Sequence, residues 1–463
     1  MMKFLLGMLL LLPAGLKAQS FESDSVMLRQ VFDEALTNGH AYENLRSLCK
    51  GVGHRLSGSP GAEQAVQWGE QLMHSYGFDS VYLQPVEVPH WVRGSEEEAW
   101  ITFPDGSREK LHISSLGGSV RTDGTLEAEV IEVKRLEDLE KLGREAIEGK
   151  IVFYNRAMDP TNISTFRSYG GCYDQRAYGA SEAGKFGAVA VLVRSLTLNL
   201  DYYPHTGSMR YGEADSIPAA GISTRDAVRI KQLINANEPF KVTLRMSCEN
   251  RAPVISYNVI GELRGNEFPD EIILIGGHLD SWDIGEGAHD DGSGVIHSIE
   301  AVRLLMELGY QPRRTLRVVF FMNEENGNNG GKMYAQVARE KNEEHIVAIE
   351  SDRGGFVPRG FSLDGTPEQL ELLQQFSDVF EPYNIHLFKE GYGGVDISPL
   401  KDGRIALIGL VPDSQRYFDH HHAQTDVFES VNKRELELGS AACAGLIYLL
   451  DRHYGMHIKA PRR

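Results

Sequence analysis

The stretch EIILIGGHLDSWDIGEGAHDDGSGVIHSIEAVRLLMELG, residues 271–309, decides the fold. It opens with an apolar run, passes through acids and histidine crowded between glycines, and ends in an amphipathic helical pattern. A short continuous apolar run bounded by glycine suits a strand buried on both faces. The same rhythm surrounds it. VISYNVIGEL (254–263), RTLRVVFFMNEEN (314–326), HIVAIESDRGG (345–355) and GRIALIGLVPD (403–413) are further strand candidates with helices interspersed. Buried strands alternating with amphipathic helices predict a three-layer α/β/α domain with a mostly parallel core sheet. Ligands bind such sheets beyond the carboxyl ends of the strands, where the charged clusters of this chain fall.

Upstream the pattern differs. GAEQAVQWGEQLMHSYGF (61–78) places Ala65, Trp68, Leu72 and Met73 at helical spacing before Gly77. The middle third holds short β-rich runs such as GKIVFYN, GAVAVLVRS and FKVTLRMS, punctuated by Gly and Pro. Residues 116–250 are therefore expected to form an inserted domain, with 19–115 and 251–463 making one discontinuous catalytic domain. Residues 1–18 carry Lys3, an apolar core from Phe4 to Leu12 and small residues near Ala18. That is the pattern of a cleavable signal peptide, so a secreted or periplasmic protein without a membrane anchor is expected. The 463 residues carry a formal net charge of −18, which disfavours nucleic acid and anionic lipid as partners. Four widely spaced cysteines make no CxxC motif, and export would permit one or two disulfides among them.

Four clusters carry the chemistry: His278-Leu279-Asp280 with Asp290-Asp291, Glu324-Glu325, Glu350-Ser351-Asp352, and HHHAQTD from His420 to Asp426. So many carboxylates on one side of a sheet would repel one another without a neutralising cation. Two imidazoles and three carboxylates suit two Zn²⁺ ions per chain that share one bridging carboxylate. Where a strand ends in adjacent glutamates, the turn can direct one to metal and the other to a water, as a metallohydrolase requires. There is no H-E-x-x-H, which removes helical-ligand zinc proteases from consideration, and no G-x-S-x-G, so the GSG around Ser293 is not a nucleophile elbow. Of the remaining histidines, His297 is expected to pack inside its helix and His289 and His345 to lie exposed.

GGHLDSWDIGEGAHDDGSG, FFMNEENGNNG, AIESDRGGF and HHHAQTDVF, together with the early GHRLSGSPGAEQA, resemble the co-catalytic zinc exopeptidase family of bacterial leucyl aminopeptidases and carboxypeptidase Q. The similarity is greatest to the carboxypeptidase Q branch, and the middle segment resembles that family's protease-associated insert. The resemblance implies that His278 and Asp352 hold one zinc, Glu325 and His422 the other, and Asp290 bridges them. It implies Glu324 as general base and Asp280 as the residue that orients the His278 imidazole. His422 is preferred to His420 and His421 because it precedes Asp426 at the family's His-x-x-x-Asp spacing. Tyr392 matches the position of a carbonyl-stabilising tyrosine, and Asp396 an acid near the substrate. The implied function is hydrolysis of short peptides, dipeptides above all, by metal-activated water, with a homodimer expected from the relatives. Two rivals share the fold: a single-zinc glutaminyl cyclase, and a non-catalytic receptor of the transferrin-receptor kind. The full set of ligand positions disfavours both.

Overall fold

The computed structural model describes residues 12–212 and 216–455. Residues 1–11 of the expected signal peptide therefore lie outside the described residues, and the first helix, Leu12–Asn38, starts within it. No helix among the described residues is long and apolar enough to cross a membrane.

The largest sheet has eight strands. Their order is Ser80–Val92, Glu249–Leu263, Arg314–Phe321, Phe268–His278, Glu344–Glu350, Ala406–Pro412, Pro358–Asp364 and Leu387–Glu390. The four central strands, from Arg314–Phe321 to Ala406–Pro412, run parallel. The two N-terminal edge strands join antiparallel, and Pro358–Asp364 also opposes its neighbour Ala406–Pro412.

The alternation of side chains explains the layers. Ile273, Ile275, Val318, Phe320, Val347 and Ile349 share a core with the helices Ser293–Glu307 and Lys433–His453. Their neighbours Ile272, Leu274, Val319, Phe321 and Ala348 point the other way, against Tyr334, Ala335 and Ala338 of the helix Asn329–Glu340. Residues one apart on a strand face opposite sides, so a run apolar at every position must be covered twice. Register then sets the site. His278 lies level with Phe321, and Gly276 with Glu350, so three strands release their acidic loops at one end of the sheet.

The chain leaves this sheet at Val92 and returns at Glu249. Between them lie two smaller sheets. One is antiparallel, in the order Arg108–Leu111, Glu97–Thr102, Lys241–Met246 and Leu126–Ala128. The other pairs Ile113–Ser115, Ala219–Ile222, Ala190–Arg194, Ile151–Tyr154 and Val130–Val133. Residues 97–115 precede the expected boundary at 116, yet their strands pair here, because Glu97–Thr102 finds its partner in Lys241–Met246. All four cysteines are buried and free, so the disulfides that export would permit are not formed.

Candidate metal centre

The strand Phe268–His278 ends by pointing His278 into the space above the sheet, where the imidazole is almost fully buried. The loop that follows turns back through Gly287, whose φ of +58° lies in the left-handed region glycine favours. It delivers Asp290 to within 3.3 Å of His278 Nε2. Asp352, two residues past its strand, places Oδ1 3.6 Å from the same nitrogen. On the other side of Asp290, Oδ2 lies 3.4 Å from His422 Nε2, and Glu325 Oε2 lies 3.1 Å from that nitrogen. Asp290 thus stands between two groups: His278 with Asp352, and His422 with Glu325. Glu324 Oε2 is 4.0 Å from His278 Nε2, and Glu324 lines the adjoining cleft.

Buried hydrogen bonds hold these loops. The carboxylate of Asp280 accepts the backbone N–H groups of Asn323, Glu324 and Glu325 at 2.7, 3.0 and 3.3 Å. The imidazole of His278 meets the Asp280 main-chain carbonyl, with Nδ1 at 3.0 Å, while the nearest Asp280 carboxylate oxygen is 3.8 Å away. Asp280 therefore orients the imidazole through its backbone and spends its carboxylate on the glutamate turn. Asp291 accepts from the N–H groups of His278 and Gly294, tying strand end to helix start. The Asp290–Asp291 peptide is cis. Asp426 does not bond His422; its oxygens accept from the backbone of His289 and Asp290 at 2.7 and 3.1 Å and fix the turn that carries Asp290.

Several important residues escaped the sequence reading. Arg55, wholly buried, donates to the carbonyls of Leu279, Gly53, Glu286 and Gly287 and so clamps the loop that carries Asp290. A guanidinium makes five directed donors available, which is why one residue can hold four carbonyls. It lies inside GHRLSGSPGAEQA, the only hint in the sequence. Tyr417, His421 and Arg176 line the cleft. His421 stacks on His422 with centroids 3.6 Å apart and approaches Asp290 Oδ2 at 3.8 Å. Tyr392, by contrast, is 51% exposed and is not among the lining residues. Asp396 is buried beside Glu350, whose carboxylate accepts the N–H groups of Val395 and Ile397. His289 and His345, expected exposed, are buried. His289 stacks on Phe356 at 4.2 Å and His345 bonds the Tyr334 hydroxyl, since an imidazole with one partner packs well inside.

The electrostatics show an excess of buried acid. Burial and then the neighbouring carboxylates push Glu324 and Glu325 well above the usual range. Burial disfavours charge on His278, but Asp290 and Asp352 overcome this and raise it well above the ordinary value. Burial would likewise lift Asp290, yet the charged His278 imidazole 3.3 Å away holds it below the ordinary value. Burial, then His421 and Arg176, keep His422 far below its ordinary value, so its lone pair is available. His278 Nε2, Asp290 Oδ2 and Glu325 Oε1 are buried without a hydrogen-bond partner. Buried polar atoms are normally paired, so inward-facing orphans of this type fit cations. His278, Asp290 and Asp352 form one group of donors close enough to hold a cation, and Asp290, His421 and His422 form another, with Glu325 3.1 Å from His422 Nε2; these nitrogen and oxygen donors fit two zinc ions.

A cleft of about 730 Å³ opens on these groups, walled by both the large sheet's loops and the 93–248 segment. Fold and donor set together define a metallopeptidase of the exopeptidase kind. The chain belongs to peptidase family M28, whose model matches residues 258–447. Carboxypeptidase Q of Bos taurus is 34% identical over 412 residues, 89% of this chain and 85% of that protein. Carboxypeptidase Q of Xenopus laevis is 36% identical over 389 residues, covering 83% and 80%. The crystal structure of a peptidase M28 precursor from Shewanella amazonensis SB2B superposes with a TM-score of 0.90 at 33% identity, spanning 96% of this chain and 100% of that one. A zinc aminopeptidase from Bacillus subtilis shares the fold, with a TM-score of 0.63 at 18% identity over 89% and 95%.

Proposed function

We propose that this metallo-exopeptidase is an exported enzyme that hydrolyses short peptides, dipeptides above all, with Glu324 as general base. The observation that carries the reading is the divergence of two consecutive glutamates. Glu325 reaches the His422 nitrogen, whereas Glu324 turns toward His278 and the cleft. Bound zinc would supply Lewis acidity and lower the pKa of a coordinated water. His278 with Asp352, and His422 with Glu325, would hold the two ions, with Asp290 common to both. Glu324 Oε2 then takes the proton of the attacking water and passes it to the departing amine nitrogen. The Asp280 carboxylate keeps the glutamate backbone in place while Glu324 changes charge.

The test is Glu324→Gln, with zinc content and dipeptide turnover measured together. Two zinc ions retained and kcat lower by about 10²–10⁴-fold is the expected result. Undiminished turnover by that variant would overturn the base assignment. One zinc per chain with cyclisation of N-terminal glutamine would favour the cyclase alternative. Sequencing the N-terminus of the mature protein tests export, a start at Gln19 being expected.

A further inference from the structure

We propose that Thr206, contributed by the 93–248 segment, is a positioning residue for one of the two cations and not for the other. Its peptide group fixes the tautomer and the main chain of His422, so the ion held by His422 and Glu325 depends on the inserted segment. The ion held by His278 and Asp352 does not. This inference rests on the zinc ligands assigned above, and the experiment separates the two.

The two imidazoles that face Asp290 are supported differently. An imidazole that gives Nε2 to a metal carries its proton on Nδ1, and the acceptor found there sets the orientation of the ring. For His278 that acceptor is the Asp280 carbonyl at 3.0 Å, two residues along the same loop. For His422 it is the Thr206 carbonyl at 3.3 Å, 216 positions away in the other part of the molecule. Arg176 Nη1 lies 3.2 Å from the same nitrogen and makes the opposite demand, because a guanidinium only donates. An Nδ1 that accepted from Arg176 would leave the proton on Nε2, facing Glu325 at 3.1 Å and closed to a cation. The Thr206 carbonyl is the contact that favours the open tautomer.

The same peptide also holds the main chain. The Thr206 N–H donates to the His422 carbonyl at 2.9 Å. His422 has a φ of +61°, a left-handed conformation that a β-carbon disfavours and that the surroundings must impose. Thr206 is itself anchored: it is fully buried, and its hydroxyl donates to the Ser115 carbonyl at 2.7 Å. Arg93 donates to that carbonyl as well and forks onto Asp283, in the loop between His278 and Asp290. The helix Thr165–Gly170 of the same segment lays Phe166 on Tyr417, five residues before His422, with centroids 5.3 Å apart. His278, by contrast, makes its hydrogen bonds to Asp280 and Asp291, both of its own loop.

The experiment titrates zinc into metal-free wild type, Thr206→Val and Thr206→Ser against a competing chelator. Valine keeps the shape of the side chain but lacks the hydroxyl that anchors the peptide; serine restores it. Wild type should take up two ions. Thr206→Val should bind one of them about 10–100-fold more weakly and the other as before, with Thr206→Ser close to wild type. Crystals of Thr206→Val given one equivalent of zinc should show its anomalous signal between His278 and Asp352.

Equal weakening of both ions would make Thr206 a general structural residue and overturn the inference. So would two ions bound by Thr206→Val as tightly as by wild type, or a signal beside His422 and Glu325. Each of these results leaves the exopeptidase reading standing. Fewer than two ions on wild type would overturn the zinc assignment itself, and the inference with it.

Discussion

The two parts of the molecule that meet at the cleft line it with side chains of opposite charge. The large sheet supplies acids: Asp290, Glu324, Glu325 and Asp352 all come from loops at one end of its parallel strands. The 93–248 segment supplies Arg176, the Thr206 carbonyl and the tyrosines around the guanidinium. Acids gathered on a rigid sheet end can hold cations at fixed positions. A separately folded neighbour can alter what enters the cleft without moving those positions. The contrast places the acids of the candidate metal centre on the sheet and a buried cation on the inserted segment, with His422 in contact with both.

The strongest way to break this division is at its shared carboxylate. Asp290→Asn should cost both zinc ions, and turnover should fall by at least roughly 1000-fold, because the variant removes the charge of the carboxylate whose two oxygens face the two groups. Metal analysis and kcat decide it; two zinc ions retained would remove Asp290 from the bridging role.

A second test asks whether the acid excess is what the cations relieve. In metal-stripped protein, burial first and neighbouring Asp352 next push Glu350 up to about 8, and Glu324 and Glu325 are also raised. Groups with raised folded values bind more protons when folded, so their stabilisation is present at low pH and lost as pH rises. His421 and His422, held low, act in the opposite sense, but only up to the ordinary value of 6.5. Between pH 6.5 and 8 the stripped protein should therefore lose stability, by about 1.4 kcal/mol per pH unit for each proton still held. Zinc-loaded protein should show a much flatter profile. Thermal unfolding of both forms across that range is the measurement, and parallel profiles would count against the charge argument.

The smallest effect sharpens the other half of the comparison. Gly207 has a φ of +131°, and a Cβ there would come within 2.5 Å of Arg176 Cζ and 2.6 Å of His422 Nδ1. Gly207→Ala should cost roughly 1–3 kcal/mol of stability through this crowding. Urea unfolding of the variant beside wild type measures it, and an unchanged midpoint would show that the loop yields without strain.

Much of the catalytic side was legible in the chain. A run apolar at every position, as from Ile272 to Ile275, has to be covered on both faces, and this predicted the layers that the two cores on either side of the sheet display. His278 ends one strand, and Glu324, Glu325 and Asp352 follow two others within four residues, so strand pairing brings these together, whereas Asp290 also needs the return through Gly287. The inserted segment was harder to delimit. Glu97–Thr102 looks like any short strand until its pairing with Lys241–Met246 is seen. Burial of His289 and His345 was also hidden, because each depends on a ring or hydroxyl distant in sequence or in a neighbouring element.

The sequence by itself determined the class of fold, the crowding of acids beside histidine and the resemblance that assigns them roles. These are local properties: periodicity, residue type and spacing within a loop. Tertiary structure alone decided which groups act at a distance. It gave the Asp280 carboxylate to the glutamate turn, Asp426 to the turn that carries Asp290, Arg55 to four carbonyls, and Arg176 to the wall of a cleft facing His422. Hydrogen bonds and charges act over a few ångströms in space, and the residues that meet there are separated by up to hundreds of positions in the chain.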